Sequence, residues 1–516
     1  LTILDHWLSA QYSDSSTGVS GWIPREMILG REATSKVPHE FRTQRVDIAN
    51  PPTLLLALDV LIDTYIRHVD SDTGTGPEKG QGHVVLDEEE LELMRSSLVS
   101  LYAKAHDWVE WFADSQETHL RAPSGSSYRT YRWKGRVNTN KGEYTRLLPN
   151  TLASGLDDYP RSPWATIDQE AHVDLLAWIV RCSMIMKKYT NLMLSISTST
   201  GTIGSGGTLQ AQYETNLDTY SELGSLVSEL IETHHWHEEY GHYVDIGLLD
   251  MSSVSLSPDG KITHGDIVKQ VVVRCGDKNG GTADAGANLK VVKNQYQIDT
   301  ENVCPPTHPK YMFPLGDGAG GYLMREHVSL SDGYKRDIED HYSAIMYNTN
   351  PDPKPIATQL PILGYVSIFP LILKTLPTDQ PSTQLTSLLK HISNDKELWS
   401  GYGIASLSSG DMYYDHPNAP GDPPYWRGPI WMNINYLVLD SLYHYSHHLP
   451  ASDTNKALSA KIYKKLRSNL VKNVMKEYKR TGYLYEQYSD KDGEAKRGHP
   501  FTGWTSLIVN IVYELY

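Results

Sequence analysis

Apolar residues recur at helical spacing in segment after segment of this 516-residue chain, with long polar or aromatic connections between the segments. Pro51-Pro52 opens one such pattern, which runs to about His68 through Leu54, Leu55, Ala57, Leu58, Val60, Leu61 and Tyr65. Others run from the acidic start Asp87-Glu88-Glu89-Glu90 to Trp111, from Thr166 to Leu194 and from Leu209 to Trp236. Further patterns cover Tyr334 to Tyr347, Leu360 to Leu373, Thr383 to Asn394, Trp426 to His447, Asn455 to Tyr478 and Phe501 to Tyr516. With a short amphipathic helix from Leu1 this gives about ten to twelve helices. The expected fold is all-α, a toroid of helices paired in two concentric layers with functional loops at one rim. Between about Ser252 and Asp299 the texture changes, since Lys269 to Cys275 and Leu289 to Val292 read as short strands around Gly-rich turns. The expectation is a β-hairpin insertion at about 252–304 within one domain spanning 1–516.

Charge narrows the partners. Acidic residues outnumber basic ones, 62 to 47, for a net charge of −15, which argues against a nucleic-acid binder or an anionic membrane surface and favours a neutral or cationic ligand. The aromatic residues are 33 Tyr and 12 Trp against five Phe, a bias toward rings with a flat apolar face and a hydrogen-bonding tip, which suit the faces of sugars. No run approaches the ~20 apolar residues of a membrane helix, and the best, Leu54 to Ile62, is interrupted by Asp59. The chain starts at Leu1 with no signal-peptide pattern, which reads as a fragment or a mature form. Cys182 falls in an apolar helical pattern and is expected to be a buried thiol, while Cys275 and Cys304 flank the Gly-rich segment and are disulfide candidates in an oxidising compartment.

Candidate chemistry gathers on loops. In Ser154-Gly155-Leu156-Asp157-Asp158-Tyr159-Pro160-Arg161 a glycine permits an unusual backbone turn and a proline prevents helix, so Asp157 is presented from a loop as a candidate acid. Glu170 and Asp174 are four apart and on a helix would face the same way, a spacing tolerated on a solvated face or around a ligand or an arginine. Glu486 sits among Tyr483, Tyr485 and Tyr488, where desolvation can prepare a carboxylate for acid or base duty. Tyr425-Trp426-Arg427-Gly428-Pro429-Ile430-Trp431 brackets a guanidinium with two indoles, a pattern read as sugar site rather than core because a buried arginine is costly unless paired. Two look-alikes are set aside. His237 and His242 are five apart, about 140° on a helix, and do not make the zinc-protease spacing. Gly316 to Gly321 matches G-x-G-x-x-G without a βαβ context and reads as a flexible loop. No EF-hand-type run is present, and neither a metal nor a cofactor is expected.

Taken in order, Gly21-Trp22-Ile23-Pro24-Arg25-Glu26, Asn50-Pro51-Pro52, Ser154 to Arg161, Glu170 to Asp174, Tyr425 to Trp431 and His499 to Trp504 resemble the processing α-glucosidases of glycoside hydrolase family 63. The resemblance implies an (α/α)6 toroid with long rim loops and a small β-containing insertion. It implies an inverting exo-α-glucosidase that removes the terminal α-1,2-linked glucose of the triglucosylated N-glycan precursor in the endoplasmic reticulum lumen. It further implies Asp157 as general acid and Glu486 as general base. Trp22, Arg25, Glu26, Trp133, Arg136, Tyr159, Arg161, Trp426, Arg427 and Trp431 would form the sugar-binding wall, and Glu170 and Asp174 would bind glucose hydroxyls or raise the pKa of Asp157 by their charge. Glucosylated high-mannose glycan would be the partner, and membrane association would come only through an N-terminal anchor that this chain does not contain. The competing readings are a trehalase-like (α/α)6 hydrolase for another α-glucoside or α-mannoside, and a non-catalytic glycan-binding module, which would keep the aromatics and lack the carboxylate pair.

Overall fold

The computed structural model describes residues 1–16, 18–26, 28, 30–37, 44–72, 86–121, 127–136, 148–162, 169–199, 207–249, 362–411, 413–419 and 421–513, and between 250 and 361 the strands alone. The described chain is mostly helical. Its helices are α1 (Thr2–Ser9), α2 (Gly30–Lys36), α3 (Thr53–Asp72), α4 (Glu88–Gln116), α5 (Val173–Ser199) and α6 (Gly207–Leu230). After the strand-rich region come α7 (Phe369–Ile372), α8 (Thr383–Ile392), α9 (Met432–His448), α10 (Thr454–Thr481) and α11 (Ile508–Tyr513).

Local chemistry fixes where these helices start and stop. Asp87 accepts a hydrogen bond from the Glu90 amide at 2.8 Å while Glu90 accepts one from the Asp87 amide at 3.0 Å, a reciprocal cap that satisfies two of the free donors at the start of α4. Ser382 and Asp453 cap α8 and α10 by accepting the Leu385 and Asn455 amides, and Gly482 ends α10 in the left-handed conformation. Helix α5 is buried on all sides along its first two turns, from Val173 through Val180, which marks it as an inner helix. It packs against α6, α3 and α4, while α9 packs against α10 and α7. One apolar cluster runs from Leu4 to Ile511, and each leucine-sized side chain fully buried in it contributes roughly 1.5–3 kcal/mol. Asp59, which interrupts the apolar run of α3, is buried and tied to α5 through Arg181 at 2.5 Å and through Lys188. Cys182 is a buried free thiol on α5, and burial pushes its pKa up. Among the described residues no helix is long and apolar enough to cross a membrane.

The strand-rich region is larger than a hairpin. Lys261–Ile262, Gln295–Asp299, Asn288–Val292 and Tyr342–Ser343 form one antiparallel sheet in that spatial order. Met312–Pro314, Gly321–Glu326 and Lys269–Arg274 form a second, with Gly321–Glu326 in the middle. The pair Asp245–Leu249 and Ile356–Leu360 brackets both. The β-branched runs drive this pairing. Tyr342–Ser343 is accordingly strand where a helix over Tyr334–Tyr347 was expected. The Leu360–Leu373 pattern resolves into a strand end, a 3-10 turn at Tyr365–Ile368 and the short α7. Cys275, Cys304 and Gly316 to Gly320 lie outside the described residues, and Gly321 opens a strand. His237 and His242 face each other across a two-stranded hairpin, not along a helix.

Candidate active site

The Asp157 turn is built by its own backbone. A 3-10 turn over Leu152–Ser154 ends at Gly155, whose φ of +73° is a conformation that other residues rarely adopt. The Thr151 amide donates to the Asp157 carbonyl at 2.8 Å and closes the loop, and Leu156 anchors it in the core. A Cβ at Gly155 would lie 3.8 Å from the Pro51 ring, so Asn50-Pro51-Pro52 lies beside this turn. Asn50 in turn donates to the Arg25 carbonyl at 3.1 Å.

The two neighbouring aspartates have different surroundings. Asp158 is buried, and its carboxylate accepts the Tyr425 amide at 3.0 Å and the Trp426 amide at 2.6 Å. Its carbonyl accepts Arg427 Nε at 2.7 Å, and the Arg427 guanidinium also reaches the His416 carbonyl and Asn418 Oδ1. Burial raises the Asp158 pKa and lowers that of Arg427, so desolvation outweighs their mutual attraction at 3.7 Å. Asp157 is half-buried.

Glu486 is held from three sides. Its amide donates to the Gly498 carbonyl at 3.0 Å, the Gly498 amide donates to Glu486 Oε2 at 3.2 Å, and Trp504 Nε1 donates to the Glu486 carbonyl at 2.7 Å. The Tyr425 hydroxyl donates to Glu486 Oε1. Just after it, Ile430 and Tyr488 exchange backbone hydrogen bonds of 2.7 and 3.1 Å. The 425–431 segment is thus bonded to the Asp157-Asp158 turn at one end and to the Glu486 strand at the other. Burial, then the bond to Glu486 and the charges of Glu486 and Asp157, all push the Tyr425 pKa up, so its hydroxyl keeps its proton. The Arg497 guanidinium lies 4.8 Å from the Tyr425 ring centre and anchors to the Pro423 carbonyl at 2.6 Å, from a backbone with φ of +67°.

The structure corrects two readings of the sequence. Glu170 and Asp174 do not share a helix face, because α5 begins at Val173 and Ala171 forms a bridge to Ile246. Each is fully buried, Glu170 paired with two arginines and Asp174 with one. Glu170 receives Arg136 and, at 3.3 Å, Arg132. Arg161 grips Asp174 with two hydrogen bonds of 2.6 and 3.1 Å and reaches Asp245 at 2.6 Å. The second correction concerns the tryptophan-arginine cluster, whose side chains are buried. Trp426 and Trp431 stack on each other with centroids 3.6 Å apart, and Arg427 has no exposed surface. The cost of burying it is offset by the carbonyl, amide and carboxylate partners given above.

Of the remaining expected wall residues, Trp22, Trp133, Arg136 and Tyr159 are buried, Arg25 is part-exposed and Glu26 is exposed. Sequence reasoning passed over three residues: Asp245, Arg497 and Tyr425. Tyr425 carried a signal, since it begins the densest aromatic cluster and precedes Trp426; Asp245 and Arg497 carried none.

Comparison with known proteins places the chain in a family. The family model "Glycosyl hydrolase family 63 C-terminal domain" matches residues 1–280 and 324–514, leaving out part of the strand-rich region. The whole chain aligns at 33% identity with a mannosyl-oligosaccharide glucosidase of Arabidopsis thaliana and at 32% with a probable mannosyl-oligosaccharide glucosidase of Schizosaccharomyces pombe, covering 46% and 47% of them. It aligns at 30% with alpha-glucosidase 2 of Arabidopsis thaliana, covering 49% of that protein. The chain belongs to glycoside hydrolase family 63. It spans about half the length of the curated relatives it matches.

Proposed function

We propose that this chain carries the active site of an inverting exo-α-glucosidase that removes the terminal α-1,2-linked glucose of the triglucosylated N-glycan precursor in the endoplasmic reticulum lumen. Its helices would pair as an (α/α)6 toroid. The observation that carries the reading is the end-to-end alignment with two proteins named as mannosyl-oligosaccharide glucosidases. Asp157, protonated, donates to the glycosidic oxygen, and Glu486, ionised, takes a proton from a water on the opposite ring face. That geometry needs the two carboxyl groups roughly 6.5–9.5 Å apart, with the water between them. The hydrogen bonds of the 425–431 segment to both the Asp158 carboxylate and the Glu486 side support the pairing of these two residues. The accessible Arg25 and Glu26 are the wall candidates able to touch sugar, while the buried ones hold the loops.

Proton NMR of the glucose first released from a Glc-α-1,2-Glc-terminated oligosaccharide tests the proposal. The expected product is β-glucose, with Asp157→Asn and Glu486→Gln each slower by about 10²–10⁴-fold. Release of α-glucose would mean a retaining enzyme and the wrong role for Glu486. Trehalose cleaved in preference would move the chain to the competing substrate.

A further inference from the structure

The spacing between two carboxyl groups decides what a pair of this kind does, so the residues that set the spacing matter as much as the pair itself. A short path through the structure connects them. Asp157 adjoins Asp158, and the Asp158 carboxylate holds the Tyr425 amide at 3.0 Å. The Tyr425 hydroxyl, at the far end of the same residue, donates to Glu486 Oε1. The ring between them is locked: it meets Trp431 edge-on with centroids 4.5 Å apart, Trp431 Nε1 donates back to the Tyr425 carbonyl at 3.1 Å, and Arg497 covers its face. A tyrosine ring fixed at its backbone, its edge and its face is a rigid spacer.

We propose that Tyr425 is the positioning residue of the carboxylate pair: anchored by Asp158, its hydroxyl sets the place and orientation of the Glu486 carboxylate relative to Asp157. The proposal rests on the roles given to Asp157 and Glu486 above. Tyr425 touches Glu486 and need not touch sugar, so it acts on the step in which Glu486 takes the proton. Because burial, the bond to Glu486 and the Glu486 charge hold the hydroxyl in its protonated form, it serves as donor to Glu486. Gly498 supplies the second donor to Glu486 from the other side, so removal of the hydroxyl leaves the carboxylate half-held and able to rotate.

The experiment is steady-state kinetics of the full chain on the Glc-α-1,2-Glc-terminated oligosaccharide, for wild type, Tyr425→Phe, Glu486→Gln and the double variant, with thermal unfolding of each. Tyr425→Phe keeps the ring, its edge contact with Trp431 and the Arg497 cover. Expected is a kcat lower by about 10–100-fold with KM within about threefold, since the lost interaction matters in the transition state and not in binding. The double variant should be no slower than Glu486→Gln alone, because two residues that act as one unit are not additive. Tyr414→Phe is the control: its hydroxyl donates to Asp490 outside this pair, and its kcat should stay within twofold of wild type. A raised KM with wild-type kcat in Tyr425→Phe would make Tyr425 a sugar contact and overturn the proposal, as would additive losses in the double variant. Glu486→Gln inactive beside a fully active Tyr425→Phe overturns the positioning role alone. A fully active Glu486→Gln overturns the role of Glu486 and the proposal with it.

Discussion

The structure treats two groups of carboxylates in opposite ways. In one, Glu170, Asp174 and Asp245 are buried and matched to Arg132, Arg136 and Arg161, three anions to three cations. In the other, Asp157 and Glu486 are half-buried, and the described partners of the Glu486 carboxylate are a tyrosine hydroxyl and a backbone amide instead of a cation. A fully paired buried charge is held in one geometry and is poorly placed to exchange a proton, whereas a carboxylate bound by neutral donors keeps its reactivity and its access. The paired group is therefore framework, and the proposed acid and base fall in the other. Arg161 joins them, since it lies four residues beyond Asp157 and grips both α5 and the strand at Asp245.

The hardest test of this division is Arg161→Ala. It leaves Asp174 and Asp245 buried without their shared cation, and breaking a buried pair from one side costs about 3–5 kcal/mol. Urea unfolding should show that loss, while Glu486→Gln should unfold like wild type. If Arg161→Ala instead kept its stability and raised KM, Arg161 would be a sugar contact, as the sequence pattern had it, and the boundary between the two groups would have to be redrawn.

The sequence disclosed the parts of the molecule that depend on near neighbours. The Asp87 to Glu90 start of α4, the proline entry to α3 and the Gly155 turn are each contained within a few residues, and each is found where the pattern put it. Long-range pairing was hidden. Glu170 and Asp174 have a spacing that suits one helix face, but their partners Arg132, Arg136 and Arg161 come from the chain before the helix, and a bridge from Ala171 to Ile246 keeps Glu170 out of the helix. The tryptophans of the 425–431 segment looked like sugar platforms because nothing local reveals that they stack on each other. The same holds for His237 and His242, whose spacing has meaning only once the hairpin is known.

Acid should loosen the framework before it protonates the acidic side chains of the unfolded chain. Burial pushes His235 down to about 4 and His242 down to about 3, so both are neutral in the folded protein. Their folded pKa values lie below the ordinary 6.5. The unfolded chain therefore binds protons first as pH falls, and the stability these histidines contribute above pH 6.5 is lost as pH drops through 4 and then 3. Each histidine contributes about 1.4 kcal/mol per pH unit within its window. Asp245 works the other way: burial raises it to about 6 despite Arg161, so its contribution is present below about 4 and is lost as pH rises through 6. Burial also lowers His172, His234, His237, His416 and His444 and raises Asp114, Asp158, Glu232 and Asp490, so lowered histidines outnumber raised carboxylates and the midpoint of thermal unfolding should fall from pH 6.5 to 4. A midpoint that rises over that range would mean that the buried carboxylates govern the balance.

The smallest expected effect separates the two adjacent aspartates. Asp158→Asn keeps the shape of the side chain and relieves some of the desolvation that raises the Asp158 pKa, but an amide can accept only one of the two backbone donors of Tyr425 and Trp426. The other donor is left facing the amide nitrogen, at a cost of about 1–3 kcal/mol. Because that donor belongs to the segment carrying Tyr425, kcat should also fall by a few-fold through displacement of Glu486. Asp157→Asn leaves in place the bond that closes the turn, since the Thr151 amide donates to the Asp157 backbone carbonyl. It should lose activity with stability unchanged within about 0.5 kcal/mol. Chemical unfolding of the two variants side by side decides the matter. Equal stability losses would mean that Asp157 is as much a part of the framework as Asp158, and the contrast between framework and reagent would fail at the very turn where it is sharpest.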